Sequence, residues 1–382
     1  MSIDFSKLSP GELNEKLKQF GKLSPGEWIE EVKQFFNDSK KTLGKANIIL
    51  AGKTGVGKSS LLNAVFKEDL AETGVGQPIT QEMKEYYKEE GFYHLFDTKG
   101  FEVGLYEKIK NDILGTINDR ANNSEDPNEH FHIMWYCIND KGKRIEPEEI
   151  KFIKSISEKI PVVVVLTQSV KKKDVEFFKE VEKELFDVSK VKVVRVLALD
   201  EEFDDDYCVK AYGVEELVEI VYKLLPECAK AAFAAAQQVS KRLRKEEADK
   251  IINLAAVTAG TVAATPIPFS DCFLIAPIQI GMMAKISNLF KLSLSGSFIQ
   301  SVVTPILASL LGRSLFGTFI KLIPGLGSLV GGVISAGVAG TITKTIGHAY
   351  YKVLEALCDE DGNLNDVSPK DLQKKLEDEL KC

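Results

Sequence analysis

The run GKTGVGKS at Gly52–Ser59 constrains the fold of this chain more than any other part of its 382 residues. It stands between an apolar run, NIILA at 47–51, and a segment at 58–66 whose apolar residues have helical spacing. In the order strand, glycine-rich loop and helix, backbone N–H groups and the helix N-terminus can face a phosphate group. A Cβ at the glycine positions would obstruct that approach. We therefore predict a phosphate-binding loop in an α/β domain.

The side chains of this loop predict contacts with a nucleotide and a metal ion. Lys58 supplies a mobile positive charge to the outer phosphates, and the Ser59 hydroxyl suits Mg²⁺ as a ligand. The residues that we expect to bind the nucleotide here are Gly52, Lys53, Thr54, Gly55, Val56, Gly57, Lys58, Ser59 and Ser60.

Short apolar runs alternate with amphipathic stretches from Ala46 to about Pro226. This alternation predicts a mostly parallel sheet covered by helices on both faces. The predicted strands are 47–51, 92–97, 131–138, 162–167 and 191–198. The predicted helices are 58–66, 105–118, 146–158, 173–186 and 213–225. We expect 83–90 to add an antiparallel edge strand, and 72–83, ETGVGQPITQEM, to be an irregular polar loop.

The predicted metal and phosphate site also includes three residues outside the glycine-rich loop, Thr80, Asp97 and Gly100. Asp97 ends a predicted strand in FYHLFDTKGF, where a carboxylate would hold Mg²⁺ directly or through water. Gly100 follows three residues later, and its amide would sense the γ-phosphate. We place Thr80 on Mg²⁺ when the γ-phosphate is present, with Thr73 as a rival.

GKTGVGKSSLLNAVF, QPIT and DTKGF, in that order, resemble the translation-factor-like GTPases, especially the Era-like branch, over residues 45–226. The resemblance implies a protein that binds GTP or GDP with Mg²⁺ and hydrolyses GTP. It implies that Lys58 and Ser59 act on phosphate and metal, and that Thr80 closes on Mg²⁺. It further implies that Asp97 and Gly100 report the γ-phosphate, so that Lys58, Thr80 and Gly100 are the candidate catalytic residues.

Two departures from the pattern of that family concern the base and the reaction. The guanine-reading motif N/T-K-x-D appears as Thr167-Gln168-Ser169-Val170, so its carboxylate is missing and adenine remains an alternative. Thr167, Gln168 and Ala198 are the candidate base contacts, and Asp174 is either a substitute carboxylate or a solvated residue at a helix start.

Phe101 follows Gly100, where many members of the family carry the glutamine that orients water. A phenylalanine cannot do this, so we expect slow hydrolysis, with help from a partner or from a second copy in a homodimer through the GTPase domain.

Residues 251–350 contain one acidic residue, Asp271, and five basic ones, far fewer charges than the roughly 25% of globular proteins. APIQIGMM and KLIPGLGSLVGGVISAGVAGT resemble a bacterial helical domain of unknown activity, the DUF697 type, that follows such GTPase domains. The 22 uncharged residues of Leu322–Thr343 are long enough to span a bilayer core. Two readings stay open, a bundle that associates with lipid membranes through 251–350 and a soluble bundle covered by other parts of the chain.

A tandem repeat opens the chain, with KLSPGELNEKLKQF at 7–20 and KLSPGEWIEEVKQF at 22–35. Each copy predicts a helix with a capping box, from Ser9 to Glu12 and from Ser24 to Glu27. A third amphipathic helix is predicted from Pro369. We expect an N-terminal helical segment (1–44), a GTPase domain (45–227), an apolar helical domain (228–358) and a C-terminal helix (359–382).

The net charge limits the possible partners of the chain, and its cysteines indicate the cellular compartment. The net charge of −7 excludes a general nucleic-acid binder, which would carry a basic face. The six scattered cysteines indicate reduced thiols, so we expect a cytoplasmic protein, and membrane association through 251–350 remains one of its two readings. The sequence as a whole leaves three alternative functions open. They are a nucleotide switch that controls the apolar region, a nucleotide-binding scaffold with little turnover, and an ATP-using P-loop protein.

Overall fold

The structure is a computed structural model of the whole chain. It describes residues 43–67, 75–78, 83–87, 92–98, 106–203, 207–263, 271–292, 336–358 and 369–381, together with single positions between 12 and 39. The chain divides into two compact units, one of Gly44–Leu243 and one of Met1–Leu43 with Arg244–Cys382. The domain limits expected from the sequence stay predictions.

The first unit is built on a seven-stranded sheet. Its strands are β1 (Ala46–Gly52), β2 (Val75–Pro78), β3 (Met83–Tyr87), β4 (Tyr93–Thr98), β5 (Ile133–Asn139), β6 (Val162–Thr167) and β7 (Val191–Arg195). Their order across the sheet is β2-β3-β4-β1-β5-β6-β7. Five neighbouring strands, from β4 to β7, pair in parallel, whereas β2 and β3 are antiparallel. The predicted α/β class with a mostly parallel sheet is confirmed.

Six α-helices lie wholly within the described part of this unit. They are α1 (Lys58–Phe66), α2 (Tyr106–Asn123), α3 (Pro147–Ser157), α4 (Glu176–Glu184), α5 (Val214–Leu224) and α6 (Glu227–Ala236). The central strands are buried on both faces, as every residue of β1 and of β6 is. Continuous apolar runs suit such strands, because neither face meets water. The parallel strands therefore bring their carboxyl ends, and the loops that follow them, to one edge of the sheet.

Two short paired segments were not predicted. The polar segment 72–83 contains β2, so the expectation of an irregular loop was wrong there. Gly76 and Pro78 are residue types that argue against a strand in a sequence. The strand forms through backbone pairing with β3 at the edge of the sheet, where proline is tolerated. A hairpin of β8 (Glu201–Phe203) and β9 (Tyr207–Val209) follows β7 outside the main sheet. These strands have three residues each, too few to show an alternating pattern.

The second unit is helical in its described part. It contains most of α7 (Lys241–Ala263), and all of α8 (Asp271–Leu289), α9 (Ala336–Leu357) and α10 (Pro369–Lys381). Buried polar pairs join α8 to α9: Gln279 Nε2 donates to Thr343 Oγ1 at 3.2 Å, and the hydroxyls of Ser287 and Tyr350 are 2.7 Å apart. These pairs satisfy polar groups inside an apolar bundle, where an unpaired group would be costly.

Two predictions about the ends of the chain concern described residues, the capping box of the second repeat and the C-terminal helix. The capping box of the second repeat is confirmed, since Ser24 N donates to Glu27 Oε2 at 2.7 Å and Glu27 N donates to Ser24 Oγ at 3.4 Å. The hydrogen bond from Ser24 lowers the pKa of Glu27. The C-terminal amphipathic helix is confirmed as α10, which buries Leu372, Leu376 and Leu380 at four-residue spacing.

The long uncharged stretch Leu322–Thr343 lies outside the described residues up to position 335, and its remainder belongs to α9. Within the parts of the chain that the structure describes, no helix has both the length and the hydropathy needed to cross a membrane.

Candidate nucleotide-binding site

The glycine-rich loop connects β1 to α1 through three residues with left-handed backbone. Gly52, Gly55 and Gly57 have φ angles of 140°, 78° and 93°. A Cβ on Gly52 would collide with the carbonyl oxygen of Cys137 on the neighbouring strand β5. Gly57 is the N-cap of α1, and no side chain caps the first amides of this helix. The loop therefore offers backbone N–H groups and a helix N-terminus, which together suit an anion.

Two lysines hold the loop in different ways. Lys58 Nζ donates to the carbonyl oxygens of Gly52 at 3.0 Å and Lys53 at 3.3 Å, so its ammonium group lies over the loop. Lys53 Nζ lies 3.2 Å from Glu146 Oε1 and 3.3 Å from Glu149 Oε2, at the start of α3. The buried Glu149 also accepts from the Tyr136 hydroxyl at 2.9 Å. Lys58 thus stays close to the loop backbone, whereas Lys53 ties the loop to α3.

The expected Mg²⁺ ligands in the described part of the chain are Ser59 and Asp97. Asp97 on β4 pairs in register with Leu50 on β1, two residues before the glycine-rich loop, and it is partly exposed. Ser59 is exposed in the first turn of α1. A hydroxyl and a carboxylate are hard oxygen donors, and Mg²⁺ binds few such protein ligands together with phosphate oxygens and waters. The residues fit this ion.

Other predicted residues of this site cannot be placed. Thr80, Gly100 and Phe101 lie outside the described residues, as does Thr73. Among the described residues, no group of three or more His, Cys, Asp or Glu side chains could hold a metal ion by itself.

A pocket of about 270 Å³ lies beside the glycine-rich loop. It is lined by Gly57 and Ser60 from the loop and α1, by Thr167 and Gln168 after β6, and by residues 196–201 after β7. The structure thus brings the three candidate base contacts, Thr167, Gln168 and Ala198, to one pocket next to the phosphate loop. Leu199, 62% exposed, adds an apolar surface to the wall.

Thr167 and Gln168 fasten the pocket to the phosphate loop. The buried Thr167 Oγ1 lies 2.5 Å from the carbonyl oxygen of Val56 and 3.1 Å from that of Ile138. Gln168 has a φ angle of 52°, and its Nε2 donates to the carbonyl oxygen of Gly55 at 3.2 Å. A left-handed backbone is uncommon outside glycine, so tertiary contacts hold Gln168 in this conformation.

A buried polar network behind the pocket was missed from the sequence. Ser169 Oγ donates to Asp140 Oδ2 at 2.5 Å and accepts from Arg195 Nε at 2.9 Å and from the Tyr212 hydroxyl at 3.0 Å. Arg195 Nη1 and Nη2 donate to the carbonyl oxygens of Lys172 and Lys171 at 3.0 and 2.7 Å. The available signal was Arg195 itself, a charge within the apolar run VKVVRV, which requires a partner when buried.

The alternative carboxylate, Asp174, is not among the residues that line the pocket. Its Oδ2 lies 3.4 Å from Lys143 Nζ, which also lies 3.2 Å from Asp140 Oδ1. The hydrogen bond from Lys143 lowers the pKa of Asp174. Asp174 is thus a partly exposed partner of Lys143, next to α4.

Two acidic residues do line the pocket. Asp200 uses both carboxylate oxygens within its own hairpin: Oδ2 accepts from Lys210 Nζ at 2.7 Å, and Oδ1 accepts from Ala211 N at 2.8 Å. The hydrogen bond from Lys210 lowers the pKa of Asp200. Glu201 Oε1 accepts from Lys141 Nζ at 2.6 Å.

His130 and His132, just before β5, make hydrogen bonds to backbone groups. His132 Nδ1 accepts from Asn47 N at 3.1 Å, and its Nε2 lies 2.8 Å from the carbonyl oxygen of Pro127. His130 Nε2 lies 2.8 Å from the carbonyl oxygen of Ser124. Burial lowers the pKa of His132. The pair fastens the start of β5 to β1, away from the pocket.

Family comparisons agree with this geometry. Residues 47–168 match the family model described as 50S ribosome-binding GTPase, and residues 227–378 match the domain of unknown function DUF697. The chain carries a GTPase domain followed by a DUF697 domain. The DUF697-type resemblance seen in the sequence is therefore confirmed.

Among curated relatives, magnetosome membrane protein 22 of Magnetospirillum gryphiswaldense is 31% identical over 121 residues, which cover 31% of this chain and 60% of the relative. Septin-9 of Rattus norvegicus is 26% identical over 148 residues, covering 32% of this chain and 26% of the relative. The chain thus matches less than two thirds of the length of these relatives. The crystal structure of a probable GTP-binding protein engB is 21% identical and covers 47% of this chain and 98% of that chain, with a TM-score of 0.33. That score is too low to support a conclusion.

Proposed function

We propose that this protein binds GTP with Mg²⁺, hydrolyses it slowly, and uses the nucleotide state to control its apolar helical region. The observation that carries the proposal is the loop at Gly52–Ser59, in which three glycines with positive φ lead to the N-terminus of α1 and the Lys58 ammonium group bonds to the loop backbone. The pocket lined by Gln168 and Ala198 lies directly beside it, and we propose that this pocket takes the base. We further propose that this domain is an Era-like GTPase domain, because the motifs GKTGVGKSSLLNAVF, QPIT and DTKGF follow one another in the order of that branch.

In the proposed mechanism the loop amides and Lys58 bind the outer phosphates. Lys58 exchanges its hydrogen bonds to the carbonyl oxygens of Gly52 and Lys53 for bonds to phosphate oxygens. Ser59 and Asp97 would hold Mg²⁺, with Thr80 as a further ligand in the GTP state. The ion, when bound, neutralises charge that develops on the phosphate oxygens. The Gly100 amide senses the γ-phosphate.

Slow hydrolysis follows from Phe101, whose side chain has no group that orients water. We propose that the missing group comes from a partner or from a second copy in a homodimer through the GTPase domain.

The apolar region is proposed to contact lipid membranes through residues 251–350. On α7, Leu254 is 48% exposed and Val257 68% exposed. The nearby hydroxyls of Thr258 and Thr261 donate to the carbonyl oxygens of Leu254 and Val257, at 2.8 and 3.0 Å. Hydroxyls that are satisfied within their own helix need no water, which suits an apolar environment. The name of the magnetosome membrane protein relative supports the same proposal. We propose a cytoplasmic protein that reaches membranes in this way, with no nucleic-acid partner.

Nucleotide binding and phosphate release test the central part of this function. Wild type should bind GTP and release phosphate over hours in the presence of Mg²⁺. Lys58→Ala should lose both, whereas Lys192→Ala, a change at an exposed lysine on β7, should keep them. Equal behaviour of wild type and Lys58→Ala would refute the proposal. Binding without phosphate release would favour the scaffold, and competition by excess ATP would favour the ATP-using alternative.

Flotation with liposomes tests the membrane part. Wild type with GTP, with GDP and without nucleotide should differ in the fraction that floats. The double variant Leu254→Ser, Val257→Ser should float less. The matched control is Phe186→Ser, because Phe186 is 90% exposed on the GTPase domain and loses a similar apolar surface. Protein that stays at the bottom under all three conditions, or a loss caused by Phe186→Ser instead, would overturn this part.

A further inference from the structure

The base pocket lacks the carboxylate that would be expected directly after β6. Val170 occupies that position, and it is not among the residues that line the pocket. Guanine presents an N1–H and an exocyclic amino group on one edge, and both are hydrogen-bond donors. A pocket that selects guanine over adenine needs an acceptor for these two donors, and a carboxylate is the side chain that accepts at two atoms without donating.

Glu201 lies where such an acceptor is needed. Strands β5, β6 and β7 are neighbours in this order, so Lys141 after β5 and Glu201 beyond β7 flank the end of β6. Their ion pair, with 2.6 Å between Lys141 Nζ and Glu201 Oε1, therefore joins the two sides of the segment that carries Thr167 and Gln168. Glu201 belongs to the pocket wall together with these two residues.

The bonding of the two acidic residues in the wall distinguishes between them. Both oxygens of Asp200 already accept a hydrogen bond within its own hairpin, so neither oxygen is without a donor. Glu201 uses only Oε1, and among the described residues no hydrogen-bond donor reaches Oε2. A charge-assisted hydrogen bond from Lys141 orients this carboxylate and leaves one oxygen available.

We propose that Glu201 is the residue that selects guanine in place of the missing residue after β6. Its Oε2 accepts the N1–H of the base, and Oε1 accepts the amino group at the lone pair that the bond from Lys141 leaves open. Lys141 is a positioning residue, because it holds the carboxylate at the pocket. Leu199 supplies an apolar surface for one face of the base. This assignment rests on the proposed GTP-binding function and names the group that gives it its base specificity.

A change of base partner tests the assignment. Xanthine carries a carbonyl oxygen where guanine carries the amino group, so an amide in place of the carboxylate should favour xanthine. The experiment measures equilibrium binding of GDP and xanthosine diphosphate, with Mg²⁺, to wild type and to Glu201→Gln. Glu202→Gln is the matched control, because it removes one negative charge from an exposed position on the same strand. Asp200→Asn tests the rival carboxylate.

We expect Glu201→Gln to bind GDP about tenfold to a hundredfold more weakly than wild type, since it loses hydrogen bonds to a charged group. It should bind xanthosine diphosphate more tightly than wild type does, which a mere loss of structure could not produce. Glu202→Gln should keep the preference of wild type for GDP.

An unchanged ratio of the two affinities in Glu201→Gln would overturn the assignment, as would a reversal produced by Asp200→Asn instead. In either case wild type would still bind GDP. If the proposed function itself were wrong, wild type would bind GDP no better than Lys58→Ala does. The assignment of Glu201 would then be wrong together with the proposed function.

Discussion

Arg195 on β7 and Asp140 after β5 form a buried ion pair, with 3.3 Å between Nη2 and Oδ2, although they are 55 residues apart in the chain. The pair lies behind the loop Thr167–Val170, and Ser169 bonds to both partners. Without Arg195, the buried carboxylate of Asp140 keeps only the partly exposed Lys143 as a counter-ion, so removal of Arg195 costs more than the pair contributes in net terms. The pair therefore fixes the loop that carries Thr167 and Gln168.

We expect Arg195→Met to lower the free energy of unfolding by about 3 kcal/mol, because the carboxylate of Asp140 stays buried with only the partly exposed Lys143 as a counter-ion. Urea denaturation of the whole chain, followed by circular dichroism, measures this change. The control is Lys154→Met, which breaks the exposed pair with Asp187 at 3.0 Å and should cost less than about 1 kcal/mol. Similar losses in the two variants would show that the buried pair has no special role.

Thr167→Val should weaken nucleotide binding by about tenfold or less while the chain stays folded. The hydroxyl lies 2.5 Å from the Val56 carbonyl oxygen, and its loss removes a buried contact between the pocket and the phosphate loop, worth about 1 kcal/mol. Titration with GDP and a thermal melt measure both effects. The control is Thr116→Val on α2, whose hydroxyl donates to the Asp112 carbonyl oxygen within one helix at 2.7 Å. Equal affinities in wild type and Thr167→Val would contradict the prediction.

His132 should make the stability of the first unit depend on pH. Burial holds its pKa in the fold below the ordinary value of 6.5, and nearby His130 adds to this effect. The unfolded chain therefore binds a proton at a higher pH than the folded chain does, so the free energy of unfolding should fall as the pH drops below about 6.5.

Denaturation of wild type and of His132→Asn at pH 7.5 and pH 5.5 measures this contribution. The difference between the two pH values should be smaller in His132→Asn. His348 in the second unit also has a pKa lowered by burial, so the comparison with the variant is needed to isolate His132. A pH dependence that is the same in both proteins would assign it to other groups.

The phosphate loop and the central sheet were predictable because their signals are local. Glycine spacing defines the loop at Gly52–Ser59, and continuous apolar runs define buried strands such as Val162–Thr167, which was predicted with the observed limits. The described members of the candidate site, from Gly52 to Ala198, could be named from motif order for the same reason. Thr80 and Gly100 fall outside the described residues, so their roles stay predictions.

What escaped prediction depends on contacts between distant parts of the chain. The strand Val75–Pro78 exists through pairing with β3, and nothing in its own residues indicates it. Glu201 stands in a short hairpin strand, and only the folded chain brings it to the same pocket as Gln168 and close to Lys141. Sequence spacing cannot show which of several acidic residues meets a pocket, because that depends on strand order.

The close approach of α7 and α9 gives the last prediction. Gly347 on α9 is buried, and a Cβ there would come within 2.7 Å of Ile252 Cγ1 and 2.8 Å of Met282 Sδ. Gly347→Ala should therefore destabilise the second unit by about 1–3 kcal/mol, as overpacking of a filled core does. Gly337→Ala, on the same helix and exposed, meets no atom within 4 Å and should stabilise it by about 0.5–1 kcal/mol through helix propensity. Thermal melts of both variants measure the two effects, and a change of the same sign at both positions would contradict close packing at Gly347.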